Sequence, residues 1–129
     1  MTPKKRTITL TDRPPVLIVE ADWPVIAQAD WHDGKVECQA NHIRTLRIRK
    51  HADWRILVYG IYGAGPGGVH ADFRGAHAGF LIEAVLDNYN RRTMNTAGVV
   101  AAIRDVAASI GDPALGDECL ANMPAEVLA

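Results

Sequence analysis

From Ile43 to Tyr62 the chain carries the pattern that most limits its fold. Leu46 and Ile48 alternate with Thr45, Arg47 and Arg49, so a strand here puts the apolar pair on one face and the polar residues on the other. Arg55 to Tyr62 follows, richer in Ile, Val, Leu and Tyr, and reads as a second and more central strand. His51, Ala52, Asp53 and Trp54 join the two as a hairpin turn. A turn of this length favours glycine at its left-handed position. Trp54 is a poor substitute, so either the turn takes another shape or packing holds Trp54 in place.

The rest of the chain builds around this hairpin. Thr7 to Leu10 alternates and stops at Asp12, Arg13, Pro14 and Pro15, which marks a short edge strand and a turn. Val16 to Glu20 is a compact β-branched run and predicts another strand, partly buried. Asp22 stands as an N-cap with Pro24 in the first turn, which predicts a short helix over Trp23 to Ala29; a strand through Val25 and Ile26 is the rival. Asp33 and Gly34 make a turn, and Gly60 to Gly79 reads as a glycine-rich loop. Gly79 to Val85 is read as a strand, although its spacing also suits a helix.

Two helices close the chain. Thr96 can cap a helix over Ala97 to Ile110, where Val99, Val100, Ile103, Val106, Ala107 and Ile110 form one apolar stripe. Gly111, Asp112 and Pro113 end it, and Ala114 to Met123 predicts a last amphipathic helix. Strands joined by hairpins with helices gathered at one end predict an α+β domain: an antiparallel sheet of about four to five strands with a central basic hairpin, covered on one face by the C-terminal helices. The polar face bearing Arg47 and Arg49 is then expected to meet water or a partner.

Composition bounds the function classes. The 129 residues suit one domain, and 14 basic against 15 acidic residues leave no global field to draw the chain to nucleic acid or a membrane. No apolar stretch approaches the roughly 18 residues of a membrane span, and no export signal is evident, so a soluble, cytoplasmic protein is expected. Cys38 and Cys119 do not suggest a disulfide framework.

Catalytic and cofactor motifs are weak. Gly63, Gly65 and Gly68 spell a G-x-G-x-x-G after a strand, with Glu83 near the place of a ribose-binding carboxylate. No helix period follows the last glycine and no parallel βαβ unit is available, so a surface loop is the better reading and no cofactor is expected. His32, Cys38 and His42, and in the loop His70, Asp72 and His77, are candidate ligand sets, but neither has the paired close spacing of a zinc site. Ser109, the only serine, lies on a predicted helix and is a poor nucleophile position. Cys38 lacks an evident base, and Asp30, Asp33 and Glu37 are explained by turns and solvation.

The concentrated basic hairpin is the most informative functional feature. Arg44, Arg47, Arg49, Lys50 and Arg55, with Trp54, form the candidate partner-binding set. Such a ribbon can meet phosphates or an acidic protein surface, where Arg and Trp are favoured anchors. The bland alternative is a solvated face whose arginines pair with Glu20 or Asp53.

Several segments carry a resemblance: Thr7 to Val16, Asp22-Trp23-Pro24-Val25-Ile26-Ala27, Glu37-Cys38-Gln39-Ala40-Asn41, His51-Ala52-Asp53 and Leu57-Val58-Tyr59-Gly60, with an echo at Glu118 to Ala121 and Pro124 to Glu126. In these the chain resembles small uncharacterised accessory proteins of proteobacterial phages, prophages and integrative elements. That group often has glycine after His-Ala-Asp, where this chain has Trp54. The resemblance implies a mobile-element accessory protein that binds a host or phage component, with anti-CRISPR or other anti-defence inhibition as one form; local charge without a catalytic constellation makes the expected protein a non-enzymatic one that binds a host or phage protein complex. It brings no catalytic residues. A nucleic-acid-binding protein using the basic hairpin and a small metal-dependent enzyme using the loop histidines are the alternatives.

Overall fold

The computed structural model describes residues 2–31, 44–62, 76–82, 85–86, 92–93 and 96–125. It is an α+β protein whose centre is a four-stranded antiparallel sheet of order β3-β4-β5-β6. The strands are β3 (Val25–Trp31), β4 (Arg44–Lys50), β5 (Ile56–Tyr62) and β6 (Ala76–Ile82). A separate ribbon pairs β1 (Lys5–Ile8) with β2 (Val16–Val19), and a further short pair joins β7 (Val85–Leu86) to β8 (Arg92–Thr93). Helices α1 (Thr96–Ser109) and α2 (Pro113–Ala121) complete the fold.

Strand β5 shows why the sheet is layered as it is. Ile56 and Val58 belong to a core shared with Leu46, Ile48, Val99, Ile103 and Val106, whereas Leu57, Tyr59 and Ile61 join a second core with Ile8, Ile18 and Trp23. Residues of one strand alternate between faces, so a strand covered on both faces must be apolar throughout. The helices cover one face; the β1–β2 ribbon and Trp23 cover the other. The C-terminal helices cover one face of the antiparallel sheet as expected, and the ribbon adds a cover on the other face that the sequence reading did not include. The ribbon residues pair with each other and lie over the sheet as a second layer, and alternation within β1 and β2 turns Ile8 and Ile18 onto it.

Glycines permit two of the close approaches. A Cβ at Gly60 would stand 2.7 Å from Val106 Cγ1, so α1 rests directly on the β5 backbone there. On the opposite face, a Cβ at Gly79 would lie 2.8 Å from Tyr59 Cβ, and Gly79 also bonds Thr11: Thr11 N donates to Gly79 O at 2.8 Å and Gly79 N to Thr11 Oγ1 at 3.1 Å. Thr11 thus occupies backbone groups on the outer edge of β6.

The helix expected over Trp23 to Ala29 is not formed. Glu20–Asp22 makes a single 3-10 turn, and Val25–Trp31 is strand β3, paired with β4 from Val25↔Arg49 to Trp31↔Arg44. Sheet pairing overrides the cap-like Asp22 and Pro24, because β4 offers a row of backbone partners that an isolated helix this short cannot match. A register shift lies between Val25 and Ala27. The small Ala27 and Ala29 face the helical core, where α2 packs against β3.

The expected glycine-rich loop is narrowed from both ends, since β5 continues to Tyr62 and β6 begins at Ala76. Its motif glycines from Gly63 to Gly68, together with His70 and Asp72, lie outside the described residues, as do Asp33, Glu37, His32, Cys38, His42 and Glu83. The C-terminal stripe is as read, with Val99, Ile103, Val106, Ala107 and Ile110 buried. Ser109 Oγ donates to Asp105 O at 2.8 Å within the helix. Burial, with the charges of Glu118 and Asp30, pushes the Cys119 thiol up to about 11.

Candidate functional site

The β4–β5 hairpin divides the candidate binding residues into two groups. Arg44, Arg47 and Arg49 lie along β4, and Lys50, Trp54 and Arg55 surround the turn. Alternation sends Leu46 and Ile48 to the helical core and Arg47 and Arg49 to the ribbon face, as the pattern requires. That face is not open to solvent: Arg49 is 7% exposed and Arg47 is half-buried. The expectation that this face meets water or a partner is corrected at Arg49, which the second layer covers, while Arg47 keeps part of its surface.

The buried guanidinium groups are met by the molecule's own acceptors. Arg49 Nε donates to Tyr59 Oη at 3.0 Å, its Nη1 to Trp23 O at 2.9 Å, and its Nη2 lies 3.6 Å from Glu20 Oε1. Arg47 donates to Gln28 Oε1 at 2.7 Å and to Tyr59 Oη at 3.1 Å. Arg6 donates to Glu20 through Nε, and Lys4 Nζ stands 3.5 Å away. Hydrogen bonding from Arg6 outweighs burial and, with the nearby cations, holds the Glu20 carboxyl below the ordinary glutamate range. Arg44 Nε donates to Ile110 O at 2.7 Å, placing a cation at the C-terminal end of α1 where carbonyls lack intrahelical partners.

The turn is organised differently. Trp54 has φ 73°, the left-handed conformation that the hairpin demands and that a bulky residue seldom adopts. Packing holds it there: Lys50 Nζ lies 4.2 Å from the centre of the Trp54 ring. The backbone closes through His51 N to Arg55 O at 2.9 Å and Trp54 N to His51 O at 3.0 Å. Asp53 accepts Arg55 N at 3.1 Å and Arg55 Nε at 2.6 Å, and its Oδ1 lies 2.9 Å from His51 Nδ1. Partial desolvation opposes charge on Asp53, but the Arg55 hydrogen bonds and the neighbouring Arg55 and His51 keep its carboxyl below the ordinary range.

Trp23 braces the turn from beneath. The His51 ring centre lies 5.0 Å from that of Trp23, and the Arg55 guanidinium lies 5.0 Å from the Trp23 ring centre. The turn contributes to two surface grooves. One of about 420 Å³ is lined by Asp22, Pro24, Ile26, Lys50 and His51; the other, of about 310 Å³, by Leu17, Trp23, Arg55, Leu57 and Leu81.

The sequence did not single out Tyr59, Trp23 or Gln28. A tyrosine in the central strand opposite a row of arginines was the available signal for Tyr59, which pairs directly with Arg47. Among the described residues no group of three His, Cys, Asp or Glu side chains is placed to hold a metal ion. His77 lies on β6 opposite Ile61. No described helix is long and apolar enough to cross a membrane. Comparison of the chain with family models, curated proteins and solved structures found no match.

Proposed function

We propose that this chain is a non-enzymatic, cytoplasmic accessory protein of a phage or integrative element, and that its β4–β5 turn docks on an acidic surface of a host or phage protein complex. The sequence resemblance supplies the setting, with an anti-CRISPR or other anti-defence inhibitor as the form it implies. Trp54 carries the reading. Left-handed backbone costs a non-glycine residue roughly 1–2 kcal/mol, yet a half-buried Trp54 is kept there under Lys50, beside Arg55. Strain of this kind concentrates at binding sites, and tryptophan and arginine dominate the energetics of protein interfaces. Lys50 and Arg55 select for negative charge opposite them.

Phosphate binding along the ribbon is the weaker reading, because Arg44, Arg47 and Arg49 are directed to acceptors of the protein itself. A gel-shift titration with duplex DNA and RNA at two salt concentrations is expected to show no complex; binding at low salt would favour nucleic acid. The direct test expresses tagged chain in a proteobacterial host and identifies co-purifying proteins. Wild type should retain a complex that Trp54→Gly and the pair Lys50→Glu, Arg55→Glu both release, with the melting temperature preserved. Undiminished retention by Trp54→Gly would remove the turn as the anchor.

A further inference from the structure

The groove on the Arg55 side of the turn has the chemistry to define what the partner presents. Its walls are the apolar side chains of Val16, Leu17, Ile18, Leu57 and Leu81 and the ring of Trp23, and its one charged lining residue among the described residues is Arg55. Leu17 is 65% exposed at this groove, the most exposed large apolar side chain among the described residues. Its outward position follows from strand alternation, which turns Ile18 inward to the core and leaves Leu17 outward beside Thr7. At about 310 Å³ the groove is large enough for a sizeable side chain.

Arg55 has hydrogen-bonding capacity to spare. Asp53 occupies Nε, and the guanidinium carbon lies 5.0 Å from the Trp23 ring centre. Among the described residues, no hydrogen bond engages its terminal amino groups. Asp53 fixes the guanidinium while its end-on pair of donors stays available for a second carboxylate, the geometry that Arg offers and Lys does not.

We infer that this groove receives an extended segment of the partner protein in which a large apolar side chain is followed closely by Asp or Glu. The apolar side chain fills the space between Leu17, Leu57 and Leu81, and the carboxylate meets the Arg55 amino groups. This rests on the turn as the docking element and adds the sequence character of what docks. Charge complementarity decides the occupant: among the described residues the charged lining group is a cation whose terminal amino groups carry no hydrogen bond, so a wholly apolar segment leaves the guanidinium fork unanswered and a carboxylate-bearing one meets it.

The test is selection of random dodecapeptides displayed on phage against the full chain, followed by anisotropy measurements on the enriched peptide. Enriched sequences should pair Leu, Ile, Phe or Trp with Asp or Glu. Leu17→Ser and Arg55→Gln should each weaken binding about tenfold, as should amidation of the peptide's acidic side chain. Thermal melts should show both variants folded, since Leu17 is mostly exposed and Arg55 is half-buried at the turn. Enrichment of basic peptides, no enrichment, or binding indifferent to Leu17→Ser and Arg55→Gln would overturn the inference. Leu17→Ser, which touches the groove and not the turn, separates the two proposals: release of the cellular partner by Trp54→Gly but not by Leu17→Ser keeps the turn and removes the groove, whereas release by Leu17→Ser but not by Trp54→Gly removes Trp54 as the anchor and keeps the groove.

Discussion

The two faces of the central sheet are closed by different physics. On the helical face, Leu46, Ile48, Ile56 and Val58 meet Val99, Ile103 and Val106, and the buried side chains are apolar. On the ribbon face, Ile8, Ile18, Leu57 and Ile61 share their layer with Arg47, Arg49, Glu20 and Tyr59. Apolar packing has no charged state to lose, whereas a buried guanidinium favours the fold only while its acceptors are in place. One face should therefore respond to volume and the other to charge and protonation.

Removing volume is the severest way to test that division. Ile103 is fully buried between α1 and the sheet, so Ile103→Ala should destabilise by about 2–5 kcal/mol. Chemical denaturation measures this directly, and the loss should be the same at pH 5 and pH 7.5 because the titratable member of that cluster, the Cys119 thiol, is pushed up to about 11 and stays protonated at both. A loss that changed with pH would show the two faces to be coupled.

On the ribbon face, Arg49→Met keeps the aliphatic bulk and removes the donors. Glu20 retains Arg6 and Lys4, and Tyr59 retains Arg47, but the Trp23 carbonyl loses its bond from Arg49. A cost of about 1–3 kcal/mol follows from one stranded buried acceptor. In a double-mutant cycle with Glu20→Gln, the coupling should be small beside that loss, since the Arg49–Glu20 contact is the longer one. A dominant coupling would instead make the ion pair the main support of this face.

Protonation gives a milder perturbation of the same network. The Glu20 pKa is lowered in the folded state, so the unfolded chain binds the proton more tightly. Its stabilisation is complete above the unfolded value near 4.5 and is lost as pH falls below that value through the folded one. Melting temperatures across that range should fall less steeply for Glu20→Gln than for wild type. Parallel curves would mean that Arg6 and Arg49 gain nothing from the carboxylate charge.

The same contrast explains what could be read in the residues. The hairpin, its facing and the C-terminal stripe were legible because period two in Thr45 to Arg49 and the spacing from Val99 to Ile110 each encode one buried face. Strand β3 was not, since Asp22 and Pro24 imitate a helix start and only the remote pairing with β4 decides the matter. The burial of Arg49 was hidden for a related reason: a polar alternation fits a solvated face and a covered one equally well, and the cover comes from β1, β2 and Trp23, distant in sequence. At the turn, by contrast, the conflict between Trp54 and the left-handed position was visible locally, and the structure resolves it by packing.

That conflict supplies the smallest and cleanest measurement. Trp54→Ala and Trp54→Gly both delete the indole and its contact with Lys50, so their difference isolates the backbone. Alanine keeps the penalty of positive φ, which is roughly 1–2 kcal/mol, while glycine pays more chain entropy, about 0.5–1 kcal/mol. Trp54→Gly should therefore be more stable than Trp54→Ala by about 0.5–1 kcal/mol. Equal stabilities, or a more stable alanine variant, would show that the turn abandons φ 73° once the indole is gone. The left-handed conformation would then belong to the tryptophan and its packing, and not to the hairpin that carries it.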